Sequence, residues 1–149
     1  MKSLFLRACC ALSVLLLVAC SPDASVMKDD HDHHDHHHHE GVEVSHWQTV
    51  PSLMLKVNED SHGGYNLQLI TENFLFAPQN ASDSHLVGEG HAHLYVDGEK
   101  VARVYSEWFH LGDLSSGEHV ISASLNTNDH RSYLLDGEEI LDEVTVVVP

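Results

Sequence analysis

Twelve consecutive residues, Asp29 to Glu40, read DDHDHHDHHHHE: seven histidines, five acids and no apolar side chain. No hydrophobic core can be built from such a string, because it holds nothing that water would exclude. Whatever folds must therefore be encoded after it. Its composition suits another task. Each neutral imidazole offers a free lone pair, and the interleaved carboxylates add charge attraction and further oxygen ligands. His31, His33, His34, His36, His37, His38 and His39 are thus candidate ligands for divalent transition metals. An expression tag is the plain alternative, but the aspartates are woven among the histidines and the run lies inside the chain. A spacer with incidental histidines is the other.

The segment before the string reads as an address. Lys2 and Arg7 are followed by an apolar run from Ala8 to Ala19, ending at Cys20. A positive start, a short apolar stretch and a small residue before the cut make a secretory signal. The run is about a dozen residues, where a spanning helix needs about 20. Leu17-Val18-Ala19-Cys20 resembles the lipobox of bacterial lipoproteins. That resemblance implies cleavage before Cys20 and a lipid on its sulfur, so that the chain meets the membrane through the lipid. With Ser21 rather than aspartate next, resemblance to enterobacterial sorting implies the outer membrane of the cell envelope. The expected organisation is a signal peptide over 1–19, a disordered histidine-rich tether over 20–41, and a folded domain over 42–149.

This address removes Cys9 and Cys10 and lipidates Cys20, the three cysteines of the chain. The mature protein then has no thiol or disulfide, which excludes cysteine-ligated zinc, blue copper and thiol catalysis. Losing Lys2 and Arg7 takes the formal charge from −16 to −18. So acidic a chain repels nucleic acid and anionic lipid and attracts cations.

From Val42 the pattern changes to short apolar runs separated by Gly, Asn and Asp. Leu53–Val57 and Tyr65–Thr71 alternate and flank a turn-rich break at 58–64, so they form an antiparallel pair. His91–Val96 and Lys100–Tyr105 alternate around Asp97-Gly98, the strongest short hairpin signal. His119–Leu125 is a further strand with Ile121, Ala123 and Leu125 inward, Asp136-Gly137 is a turn, and Glu143–Val148 is the last strand. About seven strands and no helix predict an all-β antiparallel sandwich, immunoglobulin-like or cupredoxin-like.

Within that domain His91 and His93 lie two apart on one strand and must share a face, with Ala92, Leu94 and Val96 toward the core. His110 and His130 fall at element ends, where loops can gather them with the pair. Three or four imidazoles suit zinc or copper(II). Met27 and Met54 are the only methionines past the signal, which argues against a thioether copper(I) site. Gly90-His91-Ala92-His93-Leu94-Tyr95-Val96-Asp97-Gly98 and the later Asn128-Asp129-His130 resemble poorly characterised bacterial exported domains with a G-H-x-H-L-x-V-D-G hairpin and an N-D-H. The resemblance spans roughly Phe74 to Gly137. It implies a β-sandwich and a loose link to envelope metal handling.

The expectation is a lipid-anchored envelope protein that captures, buffers or delivers zinc or copper(II). The alternative is an immunoglobulin-like module that docks an envelope partner, with structural histidines. No motif pairs a nucleophile with a base, so an enzyme is not expected.

Overall fold

Alternating apolar residues need a second layer to cover them, and the chain supplies it by pairing strands distant in sequence. The computed structural model describes residues 41–149. The segments expected to be a signal peptide and a tether, with Cys20 and the seven histidines from His31 to His39, lie outside the described residues. The strands are β1 (Val42–Glu43), β2 (Ser52–Glu59), β3 (Tyr65–Glu72), β4 (Leu75–Phe76), β5 (Glu89–Val96), β6 (Glu99–Val104), β7 (Trp108–Leu111), β8 (Gly117–Thr127), β9 (Tyr133–Leu135), β10 (Glu138–Glu139) and β11 (Leu141–Val148). Seven of them have four residues or more. A single short 3-10 turn, Pro78–Asn80, is the only helical element among the described residues.

One sheet runs β11-β8-β5-β4, with β6 also pairing β5, and the facing sheet runs β2-β3-β7. A small third sheet, β1-β9-β10, closes one end. The all-β antiparallel sandwich expected from the sequence is the observed architecture. The expected β2–β3 pair and the β5–β6 hairpin both form. Asp97 and Gly98 take φ of 52° and 80°, the two left-handed residues that a tight hairpin requires. Two parallel contacts, β1 with β9 and β4 with β5, were not foreseen. They are two-residue pairings with no periodicity to announce them.

The main core lies between the sheets. Leu55, Leu67 and Leu69 from one layer meet Ala92, Leu94, Val104, Ile121 and Ala123 from the other. A second cluster, Val44, Leu125, Tyr133 and Ile140, fills the end under the small sheet. Ile121, Ala123 and Leu125 all face inward as their alternation requires.

Two local devices set how β5 and β8 meet. The β5 backbone passes so close to β8 at Gly90 that a Cβ there would run into the Asn126 carbonyl oxygen. Further along, His119 of β8 clamps the β5–β6 turn. Its Nδ1 lies 2.7 Å from Asp97 Oδ2 and its Nε2 lies 3.0 Å from the Ser115 carbonyl. Both partners only accept, and a neutral ring can donate from one nitrogen alone, so the clamp calls for the imidazolium. The Asp97 and Ser115 bonds accordingly raise the His119 pKa above its usual 6.5.

Gly90→Ala is expected to destabilise the domain by on the order of 3 kcal/mol, read from urea unfolding; an unchanged midpoint would mean the strands can separate without loss. The His119 clamp has a defined pH window. Its contribution is fully present below pH 6.5 and is lost as pH rises through the higher folded value. His119→Gln should therefore cost stability at pH 6 and little at pH 9. An equal cost at both would show that the ring does not titrate in the clamp.

Candidate functional site

Strand parity sends Ala92 and Leu94 into the core, so His91, His93 and Tyr95 emerge on the opposite face of β5. That face is not left to solvent. His91 is 0% exposed and His93 7%. Across from them on β8, Asn126 pairs with His91, Ser124 with His93 and Ser122 with Tyr95. These three are buried as well. The outer side of the sheet thus carries a buried polar stripe beneath the two imidazoles.

His130 is brought in by a tightly tied loop. Thr127 N donates to the Arg131 carbonyl at 2.8 Å, Arg131 N returns a bond to Thr127 Oγ1 at 3.0 Å, and His130 N donates to the Thr127 carbonyl at 3.0 Å. Arg131 grips the Asp129 carboxylate through Nε and Nη2 at 3.0–3.2 Å. These bonds hold His130 at a φ of 69°, a left-handed conformation that costs a non-glycine residue about 1 kcal/mol or more. Its ring centroid lies 4.9 Å from that of His91 and 6.3 Å from that of His93. The Tyr105 ring, one residue beyond β6, completes the wall 5.3 Å from His91.

The two strand histidines touch nitrogen to nitrogen, His91 Nε2 to His93 Nε2 at 3.0 Å. One ring must donate and the other accept, which requires at least one neutral imidazole. Tyr95 Oη lies 3.4 Å from His93 Nδ1 and continues the chain. The far nitrogen of His91, Nδ1, is buried with no hydrogen-bond partner, and so are the Tyr105 hydroxyl and both amide atoms of Asn128. Burial leads in pushing His91 down to about 3, with the neighbouring His93, His130, Arg103 and Lys100 adding to it. Burial likewise leads for His93, at about 4, with Lys100, His130 and Arg103 behind it. Both rings therefore stay neutral through the physiological range, the form in which imidazole binds metal.

The spacing bears on metal fit. Two nitrogens each about 2.0–2.1 Å from one ion sit roughly 3.3–3.4 Å apart at a tetrahedral angle and about 2.8–3.0 Å apart at a right angle. The His91–His93 separation of 3.0 Å matches the right angle of a square-planar site and falls short of the tetrahedral spacing. The rings are tilted by 35–59° to one another. Among the described residues no three His, Cys, Asp or Glu side chains are already set as a metal-holding group. Coordination by all three rings therefore requires side-chain rotation.

The sequence expectation of four domain histidines divides here. His91, His93 and His130 come together. His110 does not join them: it lies on β7 in the other sheet, 3.2 Å from Asn66 Oδ1 and 4.0 Å from Asp60 Oδ2. Its neighbours Phe109 and Leu111 pack on the core, so parity turns His110 outward on the far layer. His93 is also not the solvated strand residue that an outward face suggests. Tyr105 and the buried polar stripe were missed, although Ser122, Ser124 and Asn126 alternate with the apolar residues of β8 and could have been read as a second, polar inner face. No family model, curated protein or solved structure matches the chain.

Neutral burial of His91 and His93 predicts a sign for acid stability. The unfolded chain takes up protons near 6.5 that the folded one refuses, so metal-free protein should lose stability as pH falls from 6.5 toward 4. His91→Asn with His93→Asn should flatten that slope. Imidazole carbon-bound proton shifts at pH 5 are expected to be those of neutral rings for His91 and His93, and imidazolium shifts there would refute the assignment.

Proposed function

We propose that this chain is a lipid-anchored bacterial envelope protein that binds a divalent transition metal, zinc or copper(II), for capture, buffering or delivery. The observation that carries the reading is the buried contact of His91 with His93, joined by His130. The imidazoles of His91, His93 and His130 lie within a few ångströms of each other on rigid strands and a tied loop, those of His91 and His93 are neutral, and His91 Nδ1 is buried without a hydrogen-bond partner. Burying unpaired polar groups costs stability unless a ligand satisfies them. The chemistry of the donor set points the same way, since imidazole suits zinc and copper and no thiolate or thioether competes.

The tether and the domain divide the work. The string from His31 to His39 supplies many weak, exchangeable ligands, and the domain supplies one enclosed site. The lipid on Cys20 keeps both at the envelope surface, most simply at the outer membrane. Within this reading the role is binding rather than catalysis. Docking of an envelope partner is the second reading. It is favoured by exposed Leu75, Leu86 and Val87, which cluster in sequence around β4 and the loop before β5.

Metal titration of the mature chain with its seven tether histidines replaced by serine tests the assignment. It should retain one tight zinc or copper(II) ion and melt higher with metal, by about 2.7 kcal/mol at 100-fold over Kd. Adding His91→Ala and His93→Ala should abolish that ion. Restoring the tether histidines should return several weak ions, whose uptake falls away by about pH 5.5 as protons compete. If the serine-tether chain takes up no ion, the domain has no metal site and the docking reading stands in its place.

A further inference from the structure

The surroundings of the histidine cluster carry an excess of positive charge that a bare cation would not choose. The whole chain has 7 basic against 23 acidic residues. The described residues contain four basic side chains, Lys56, Lys100, Arg103 and Arg131. Arg131 is committed to Asp129. Lys100 and Arg103 are on β6, where Arg103 pairs with His93 and Lys100 with Tyr95. Directly opposed residues share a sheet face, so both project on the side of the imidazoles. Their charges act on both His91 and His93. Among the described residues neither side chain has an ion-pair or hydrogen-bond partner. The carboxylates that share this face by register are Glu89 on β5, two residues before His91 and tied through its Oε2 to Asn80 Nδ2 at 2.7 Å, Glu143 on β11 and Glu118 at the far end of β8. Glu143 stands three strands from β6, roughly 14 Å away.

A divalent ion on three neutral imidazoles keeps its full charge, in a buried site, beside two unpaired cations. Such a site needs anionic charge to be satisfied. Three protein ligands also leave a coordination position open. The Tyr105 hydroxyl beside His91 is buried without a partner, and the fully buried Asn128, two residues before His130, has both amide atoms unbonded. Each can donate a hydrogen bond to an oxygen.

We propose that the His91–His93–His130 site takes its metal ion together with a small oxyanion, a carboxylate or phosphate group, which occupies the open position and is held by Arg103 and Lys100. This rests on the metal reading above. It makes the cargo a metal–oxyanion pair rather than a naked ion, and it gives the basic rim of an acidic protein a task. Arginine grips the planar or tetrahedral oxygen pair, and lysine adds a point charge.

The test uses the full mature chain with the tether histidines replaced by serine, loaded with one equivalent of copper(II), whose visible band and electron paramagnetic resonance report ligand exchange. Sodium acetate and inorganic phosphate are titrated separately. A saturable spectral change at millimolar anion is expected with at least one of them, and the one acting at lower concentration identifies the oxyanion class. Lys100→Gln with Arg103→Gln should retain copper and weaken the anion effect tenfold or more. Copper that binds but answers neither anion overturns the oxyanion and leaves the metal reading intact. So does an unchanged anion titration in the double variant. Failure to bind copper, and zinc as well, overturns both.

Discussion

The close approach of β5 to β8 at Gly90 underlies both the core and the histidine cluster. With no side chain there, the two backbones draw together, and the register of the whole seven-residue ladder follows. Because side chains alternate along a strand, that one register puts Ala92 and Leu94 opposite Leu125 and Ala123 on the core side. It also sets His91 and His93 over Asn126 and Ser124 on the reverse side. A slip of one residue would exchange the two faces, burying imidazoles in the apolar core and exposing leucine. The hydrophobic core thus fixes the position of the histidines without touching them.

The polar side of the sheet is held by different physics. A buried imidazole pair can persist only as neutral rings joined by a hydrogen bond, and burial ensures that neutrality. The loop from Thr127 to Arg131 then presses a third ring onto the pair from a left-handed backbone, an arrangement maintained by the Thr127 and Asp129 side chains. Strain of that kind persists where surrounding bonds over-determine it, and it clusters at sites with a task. His119 and the His91–His93 pair pull stability in opposite directions with pH. The first is lost as pH rises through the raised His119 value and the second as pH falls below 6.5.

Within the proposed reading, tether and domain differ in kind. A string such as DDHDHHDHHHHE binds ions through number and charge, with exchangeable partners and a steep loss as histidine protonates. An enclosed cluster of neutral rings binds through placement. Its basic rim further distinguishes it, since the tether carries five acids among its histidines and β6 offers lysine and arginine.

Much of the fold was legible because its signals are local. Alternation in Leu53–Val57 and Tyr65–Thr71, Asp-Gly at 97–98 and at 136–137, and the inward set Ile121, Ala123 and Leu125 each follow from the period of a strand or the φ demanded by a tight turn. The shared face of His91 and His93 is equally a matter of parity. The acidic histidine string and the absence of any thiol beyond Cys20 are compositional and need no structure. Convergence is different. Whether His110 or His130 joins the pair depends on which sheet each strand enters, and that is decided by pairings between residues 25 to 46 positions apart, β3 with β7 and β5 with β8. The burial of the outer face, the Tyr105 wall and the placement of Lys100 and Arg103 beside the imidazoles likewise arise from register across strands. Sequence determined the strands and the chemistry they carry; tertiary pairing decided which of those chemistries meet, because a side chain's neighbours across a sheet are set by hydrogen-bond register and not by distance along the chain.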